Sequence, residues 1–229
     1  SSVDDDGKAN SNGFPSALAG TDATVKMQGT LLDNNIVNSY RNAIRVMTEE
    51  MFVSHNMMCV PGIRDSLVTD FAKSRIEDYG LSFLVMDIPH FDQNNTRLFT
   101  DAGGSNSGIP DADITSAKFD NREVNSSYVA TYFPDVFIDD AGDDENAATV
   151  SRRRIKVPAS VAAFGALALS SKRPWFAPAG FERGALDRVR ATEVRLNSAD
   201  RDILYEARVN PIASFPNNQF VIFGQKTTQ

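Results

Sequence analysis

The sequence predicts an α/β or α+β domain with a mixed β-sheet, built on a βαβ unit flanked by helices and carrying long surface loops. Three observations predict it. The apolar run "FLVM" (83–86) shows no polar alternation, the habit of a strand covered on both faces in a parallel sheet. Before it come an apolar run closed by Pro61-Gly62 and a helical stretch, so strand, helix and strand follow one another within about thirty residues. Downstream, two more strand-like segments, "SSYVATYFPDVFI" and "QFVIFGQKT", are interleaved with helical ones.

Taken in order, residues 1–20 read as a polar N-terminal linker or frayed end, because "SSVDDDGKANSNG" lacks the apolar stretch of a signal peptide. The start without Met suggests an excised piece of a longer chain. Residues 21–229 form the core, although "FPSALAGTDATVKMQGTLLD" (14–33) has no clear period. From Asn34 a helix is expected, with Ile36, Tyr40, Ile44, Met47 and Met51 at three- and four-residue steps and Asp33 or Asn34 as its cap. "MMCVPGI" gives a short strand ended by a turn. A helix from Asp65 to Tyr79 follows, with an apolar stripe of Leu67, Val68 and Phe71 and Gly80 placed to end it. "LSFLVMDIP" is the next strand, stopped by Pro89, and its crossover should be right-handed.

Residues 91–126, rich in Asn, Asp, Ser and Gly, read as a long loop excursion; part of it and residues 1–15 are expected to be mobile. In "SSYVATYFPDVFI" (126–138), Pro134 favours an edge strand or a bulge. "KVPASVAAFGALALSSK" is helical and apolar nearly all round, so it should be buried. A helix from about Ser198 and the strand "QFVIFGQKT" complete the order: helix, then β-α-β, β, α, α, β.

A chain of 229 residues buries about 70–75% of its unfolded surface and needs no metal or disulfide to hold a core. The formal charge of −7 argues against a nucleic-acid binder, and "RRRIK" (152–156) balances the adjacent "DDAGDDEN". One cysteine, Cys59, excludes an intrachain disulfide. No apolar run reaches the roughly 18 residues that a membrane-spanning helix needs.

Tests for chemistry return little. His55 and His90 form no HExxH pair. The acidic loop fails as an EF-hand, with Ala141 at the third position from Asp139 and Asp144 where the glycine belongs. "GGSNSGIP" lacks the Lys-Ser/Thr of a phosphate loop, and Ser105 and Ser107 flank the nucleophile position of an elbow motif. A Cys59–His90 hydrolase would place its thiol in an apolar strand, where thiols are inert. Asp87 stands at the carboxyl end of a parallel strand, where α/β folds place their sites, but "DIP" is also a common way to leave a strand. No catalytic, cofactor-binding or metal-binding residue is therefore assigned, and no cofactor is expected. The segment "KRPWFAPAGFERG" (172–184) gathers Trp175, Phe176, Pro178 and Phe181. They are expected to form a rigid corner packed inward over the end of the Ala-rich helix, with contact to a neighbouring chain as the alternative.

Read as a series, several segments resemble one family, the contractile tail sheath proteins of long-tailed phages and related injection machines. "VPGIRDSLVTDFAKSRIEDYGLSFLVMDIP" (60–89) is similar to its "PGI, helix, strand, D-x-P" block, and "YVATYFPDVFI" to its "A-x-Y-x-P" strand. "VPASVAAFGALALSSKRPWFAPAGFERGAL" (157–186) resembles its "P-x-S, small-residue helix, W-x-A-P-A" stretch. "DILYEARVNPIASFPNNQFVIFGQKT" (202–227) resembles its "I-N-P-I, F-P, V-x-x-G-x-x-T" block. "LAGTDAT" weakly matches a "GG-x-D-G" turn. The similarity is collinear over 60–227 and takes in about half the residues. The chain departs from the family in its longer Gly-rich loops and in lacking the carboxyl-terminal domain and arm, so it resembles a truncated core.

The resemblance implies a structural subunit in a virion tail, assembled in the host cytoplasm. Hexameric rings stack around a tail tube in an extended lattice, a baseplate signal releases it, and nearly rigid subunits move to push the tube through a cell envelope. Terminal arms that add strands to neighbours link the lattice, whose two contact sets make it bistable. The implied partners are other sheath subunits, the tail tube and the baseplate, with no nucleic acid and no membrane. Without arms, the isolated chain should be monomeric. The sheath of a related bacterial contractile injection or secretion system is an alternative. An α/β hydrolase or ligand-binding domain centred on Asp87 and the 91–126 loop is the rival of a different class.

Overall fold

Chain breakers and apolar spacing set the elements of the computed structural model, which describes residues 35–51, 53–98, 108–139, 154–170, 178–216 and 219–229. Helix α1 (Asn35–Met47) buries Ile36, Val37 and Ile44, while Met47 and Met51, at the end of the expected stripe, are exposed. Strand β1 (Met57–Cys59) runs into the Pro61-Gly62 turn, where Gly62 takes a φ of 79° that side-chain-bearing residues avoid. Helix α2 (Ser66–Tyr79) starts where the Asp65 carboxylate accepts the Leu67 N–H. It ends at Gly80, left-handed at φ 68°, whose N–H donates to the Ile76 carbonyl. Strand β2 (Phe83–Met86) then pairs parallel with β1, completing the predicted βαβ unit.

The 91–126 region is not one loop. Its described part begins in a hairpin, β3 (His90–Phe91) with β4 (Arg97–Leu98), and continues in helix α3 (Ala112–Asp120). Polar composition hid both. Asp92 turns the hairpin by accepting the Asn94 and Thr96 N–H groups, and Asp111 caps α3 through the Ile114 N–H. Helix α3 shows no sequence stripe because two of its four buried residues are Thr115 and Ser116.

Strands β5 (Val129–Phe133) and β6 (Val136–Asp139) flank Pro134. The edge expectation for Pro134 fails, because β5 is the central strand of a five-stranded sheet in which β1 and β2 lie on one side and β9 (Asn210–Phe215) and β10 (Gln219–Ile222) on the other. Pro134 lies one residue past the ladder, where its missing N–H is not needed. Strands β2, β5 and β9 run parallel, and β10 returns antiparallel, so the sheet is mixed as expected. Strand β9 was not expected. Helix α6 (Ser198–Glu206), opened by a capping box between Asn197 and Asp200, leads into it through Arg208 at φ 64°. A second sheet joins β6 to β7 (Arg154–Val157) and β8 (Val189–Thr192).

The main sheet is covered on both faces. Along β2, Leu84 and Met86 pack with α1, α2, α3 and α6 residues such as Val37, Ile76, Phe119 and Leu204. Phe83 and Val85 face the other way, toward helix α4 (Ala159–Ser170). That is the physical meaning of the unbroken run "FLVM". Helix α4 is not buried all round: Ala159, Ala163 and Ala166 meet the sheet, whereas Leu169 is 68% exposed. Small residues let the helix approach closely, so one face suffices. The short helix α5 (Gly180–Arg183) follows. Phe181 does not pack inward as expected; half-exposed, it stands edge-on to Phe215 at 4.9 Å, on the outer surface of β9 and β10. Trp175 and Phe176 lie outside the described residues, as do Asp33, Asn34, Ser105 and Ser107.

Candidate functional site

The carboxyl ends of β2 and β5 do carry a polar centre, buried between the two sheets. Asp87, the first residue past β2, is 3% exposed. It accepts the Gly62 N–H at 2.8 Å, the Ser160 N–H at 3.1 Å and the Ser160 hydroxyl at 2.7 Å. Asp135, just past Pro134, accepts the Ala159 N–H at 3.2 Å and is held by Arg64 Nη2 at 2.7 and 2.6 Å from its two oxygens. Two carboxylates therefore meet the N-terminus of α4, where unpaired N–H groups and the helix dipole favour negative charge. Lys156 on β7 binds Glu193, past β8, and comes within 3.7 Å of Asp135. His90 completes the group: its Nδ1 is 3.4 Å from Glu193 Oε2, and its ring is edge-on to Phe133 at 4.7 Å.

The electrostatics follow the packing. Burial pushes the Asp135 carboxyl up, but Arg64, His90 and Lys156 outweigh it and hold it below its ordinary value. Burial raises Asp87, with Arg64 pulling it back and Asp135 adding to the rise. Burial works against the Arg64 charge, which Asp135 and Asp87 restore to above its ordinary value. His90 is lowered by burial and by Arg64, with Asp135 and Glu193 offsetting only part. Glu193, though raised by burial, ends below its usual range through His90 and Lys156.

His90, Asp135 and Glu193 bring donor atoms within 4.8 Å of one another, as a metal site would. The chemistry of the set does not suit one. Arg64 and the Ala159 N–H occupy Asp135, and Lys156 occupies Glu193, so an added divalent ion would face two fixed cations. Cys59 on β1 packs toward α4, and its thiol is raised by burial and by Asp87, away from the reactive thiolate. A cavity of about 460 Å³ opens beside β3 and α3, lined by Asp92, Asp111, Asp113 and Asp200. Three of those carboxylates are already committed to turns and helix starts.

The quoted sequence blocks meet in this centre. "PGIR" supplies Gly62 and Arg64, "DIPH" supplies Asp87 and His90, "FPD" supplies Asp135, and "PAS" supplies Ala159 and Ser160. The last block forms a second clasp. Asn210 Nδ2 donates to the Thr131 and Lys226 carbonyls at 3.1 and 2.8 Å, and its Oδ1 accepts the Lys226 N–H at 2.7 Å. Gly224 is required there, because a Cβ would sit 2.9 Å from Asn210 Oδ1. The sequence singled out Asp87 and His90 without assigning either a role, and gave no notice of Arg64, Asp135, Lys156, Glu193 and Asn210. The available signal was a charged residue inside an apolar run, as in "YFPDVF".

No family model matches the chain. The tail sheath protein of Vibrio phage KVP40 is 32% identical over 111 residues, 48% of this chain and 16% of that protein. That of Enterobacteria phage T4 is 27% identical over 107 residues, 47% of this chain and 15% of that protein. The chain thus spans well under a fifth of the length of these curated relatives. Among solved structures, the contracted-state sheath complex of PVC, an extracellular contractile injection system, aligns with a TM-score of 0.50 at 16% identity, covering 87% of this chain and 50% of that one. In sequence over about half its length, and in fold over most of it, the chain is similar to contractile tail sheath proteins.

Proposed function

We propose that this chain is a structural subunit of a contractile tail sheath, polymerising around a tail tube and contracting to drive the tube through a cell envelope. The observation that carries the reading is the 32% identity to a phage tail sheath protein over 111 residues. The buried centre supports it in kind. Its carboxylates, guanidinium and imidazole are spent on one another and on backbone N–H groups, which suits a stiff body that moves without deforming. Partners are further copies, the tube and the baseplate, and the place of work is the virion tail, after assembly in the host cytoplasm. The isolated chain is monomeric on this reading, which light scattering measures directly; a closed hexameric ring would refute that part.

Gold-labelled antibody against this chain, applied to contractile particles, tests the whole. Label along the outer sleeve, shortening with it on contraction, is expected. Label confined to the tube or baseplate refutes the assignment. The fold likeness to an injection-system sheath keeps a second reading open, in which the particle is such a machine and not a phage tail. The particle that carries the label distinguishes the two.

A further inference from the structure

We propose that His90 and Glu193 form a protonation-sensitive latch between the β7-β6-β8 sheet and the carboxyl end of the parallel sheet, closed with His90 uncharged and loosened by mild acid. The inference is independent of the sheath reading. It starts from an asymmetry in the buried centre. Asp135 is held by Arg64 and Glu193 by Lys156, and Asp87 is satisfied by Gly62 and Ser160. Among the described residues, His90 Nδ1 and Glu193 Oε2 have no well-formed hydrogen bond, although they face each other at 3.4 Å and His90 is 2% exposed.

A neutral imidazole with its hydrogen on Nδ1 supplies the donor that Glu193 Oε2 lacks. A second proton, on Nε2, strengthens the pull of Asp135 and Glu193 but brings a net charge into a dry site beside Arg64, and burial and Arg64 weigh more. The charged groups acting on the ring are Arg64 from the turn after β1, Asp135 from the β5–β6 connection and Glu193 from the end of β8; behind them, Asp87 acts on Arg64 and Lys156 of β7 binds Glu193, and Lys118 of α3 lies over the adjacent Phe91 ring at 5.8 Å. Both strong cations are already in place, so a third adds repulsion from Arg64 that the engaged carboxylates offset only in part. The joint is mechanical as well as electrostatic. Glu193 also donates its N–H to the Asp135 carbonyl at 2.8 Å, so disturbing Glu193 pulls on the only described backbone bond from that residue to the β5–β6 connection.

The sign follows from linkage. The folded His90 binds its proton more weakly than the unfolded one, whose ordinary value is 6.5. Its contribution to stability is therefore complete above that value and drains as pH falls below it, ahead of the carboxylates. Asp87, raised by burial above its ordinary 3.8, acts in the opposite sense.

The test uses the whole chain and two readouts. The chain has two histidines, His55 and His90, so imidazole signals are assigned by comparison with His55→Gln. His90 should titrate below its ordinary 6.5, and exchange protection of β7 and β8 amides, corrected for intrinsic rates, should fall by up to tenfold per pH unit below about 6.5, with β2 and β5 amides less affected. His90→Asn, which keeps a donor near the Nδ1 position and removes the titration, should flatten that fall. If His90→Asn does not fold, the wild-type titration and exchange decide alone. His90 titrating at or above 6.5, or uniform loss of protection in all strands, overturns the latch. Zinc-dependent protection that chelation and His90→Asn abolish also overturns it, making the centre a metal site.

Discussion

Replacing Arg64 by Ala strips the buried centre of its strongest cation. Arg64 and Asp135 side chains are 6% and 1% exposed, with one guanidinium nitrogen reaching both carboxylate oxygens. At an effective dielectric near 20, two charges about 2.6 Å apart attract by roughly 6 kcal/mol. Desolvation cancels most of that, and Arg64 Nε finds no partner among the described residues, so the pair itself adds little. Breaking it is another matter, because Asp135 stays behind as a buried charge, a loss of about 3–5 kcal/mol. Lys156, 3.7 Å away, compensates in part and places the expected loss near 3. For a domain of this size that corresponds to a fall in Tm of roughly 6–12 °C, read by thermal or urea unfolding. Asp135, held low by Arg64 against burial, contributes fully above its ordinary 3.8, and that contribution drains as pH falls below it. The gap between wild type and Arg64→Ala should therefore narrow in acid, as the freed carboxylate takes up a proton in the variant. The double variant Arg64→Met with Asp135→Leu should lose less than Arg64→Ala alone. A loss under about 1 kcal/mol for Arg64→Ala, or a double variant worse than the two single changes summed, would refute the reasoning.

Asn210→Ala removes three hydrogen bonds, one buried and two half-buried, and should cost about 2–4 kcal/mol, with loss of exchange protection at Lys226 and Thr228; unchanged protection there would show that the tail holds without its clasp. Leu204, fully buried on α6, should cost about 2–5 kcal/mol on truncation to Ala by urea unfolding. Two glycines give opposite signs. Gly165→Ala, in α4 with open space around the new Cβ, should stabilise by up to about 1 kcal/mol. Gly184→Ala would place a Cβ 2.7 Å from the Ile222 carbonyl and should destabilise by about 1–3 kcal/mol. Melting curves showing the same sign for both would mean that the close approach of Gly184 to β10 is wrong.

What the sequence determined by itself is local and periodic. "FLVM" declared a strand covered on both faces, and the structure places Leu84 and Met86 on one side and Phe83 and Val85 on the other. Asp65 and Gly80 marked the ends of α2 because a cap and a left-handed glycine act within one turn of chain. The order of the quoted blocks carried the resemblance. Where the period was short or polar the sequence was mute: β3, β4 and α3 are held by Asp92, Asp111 and Thr115, residues that also populate ordinary loops.

Only the tertiary structure decided what the charged residues were for. Arg64 and Asp135 are 71 positions apart, Asp87 and Ser160 are 73 apart, and Asn210 reaches 79 positions to Thr131. No spacing rule links such residues. A carboxylate beside an apolar run is a catalytic acid, a helix cap or half of an ion pair according to what arrives from the other end of the chain. Burial then sets its charge, because desolvation and Coulomb attraction depend on neighbours in space. The sequence wrote the strands and helices, and the packing of two sheets against one helix start turned their polar ends into a structural lock.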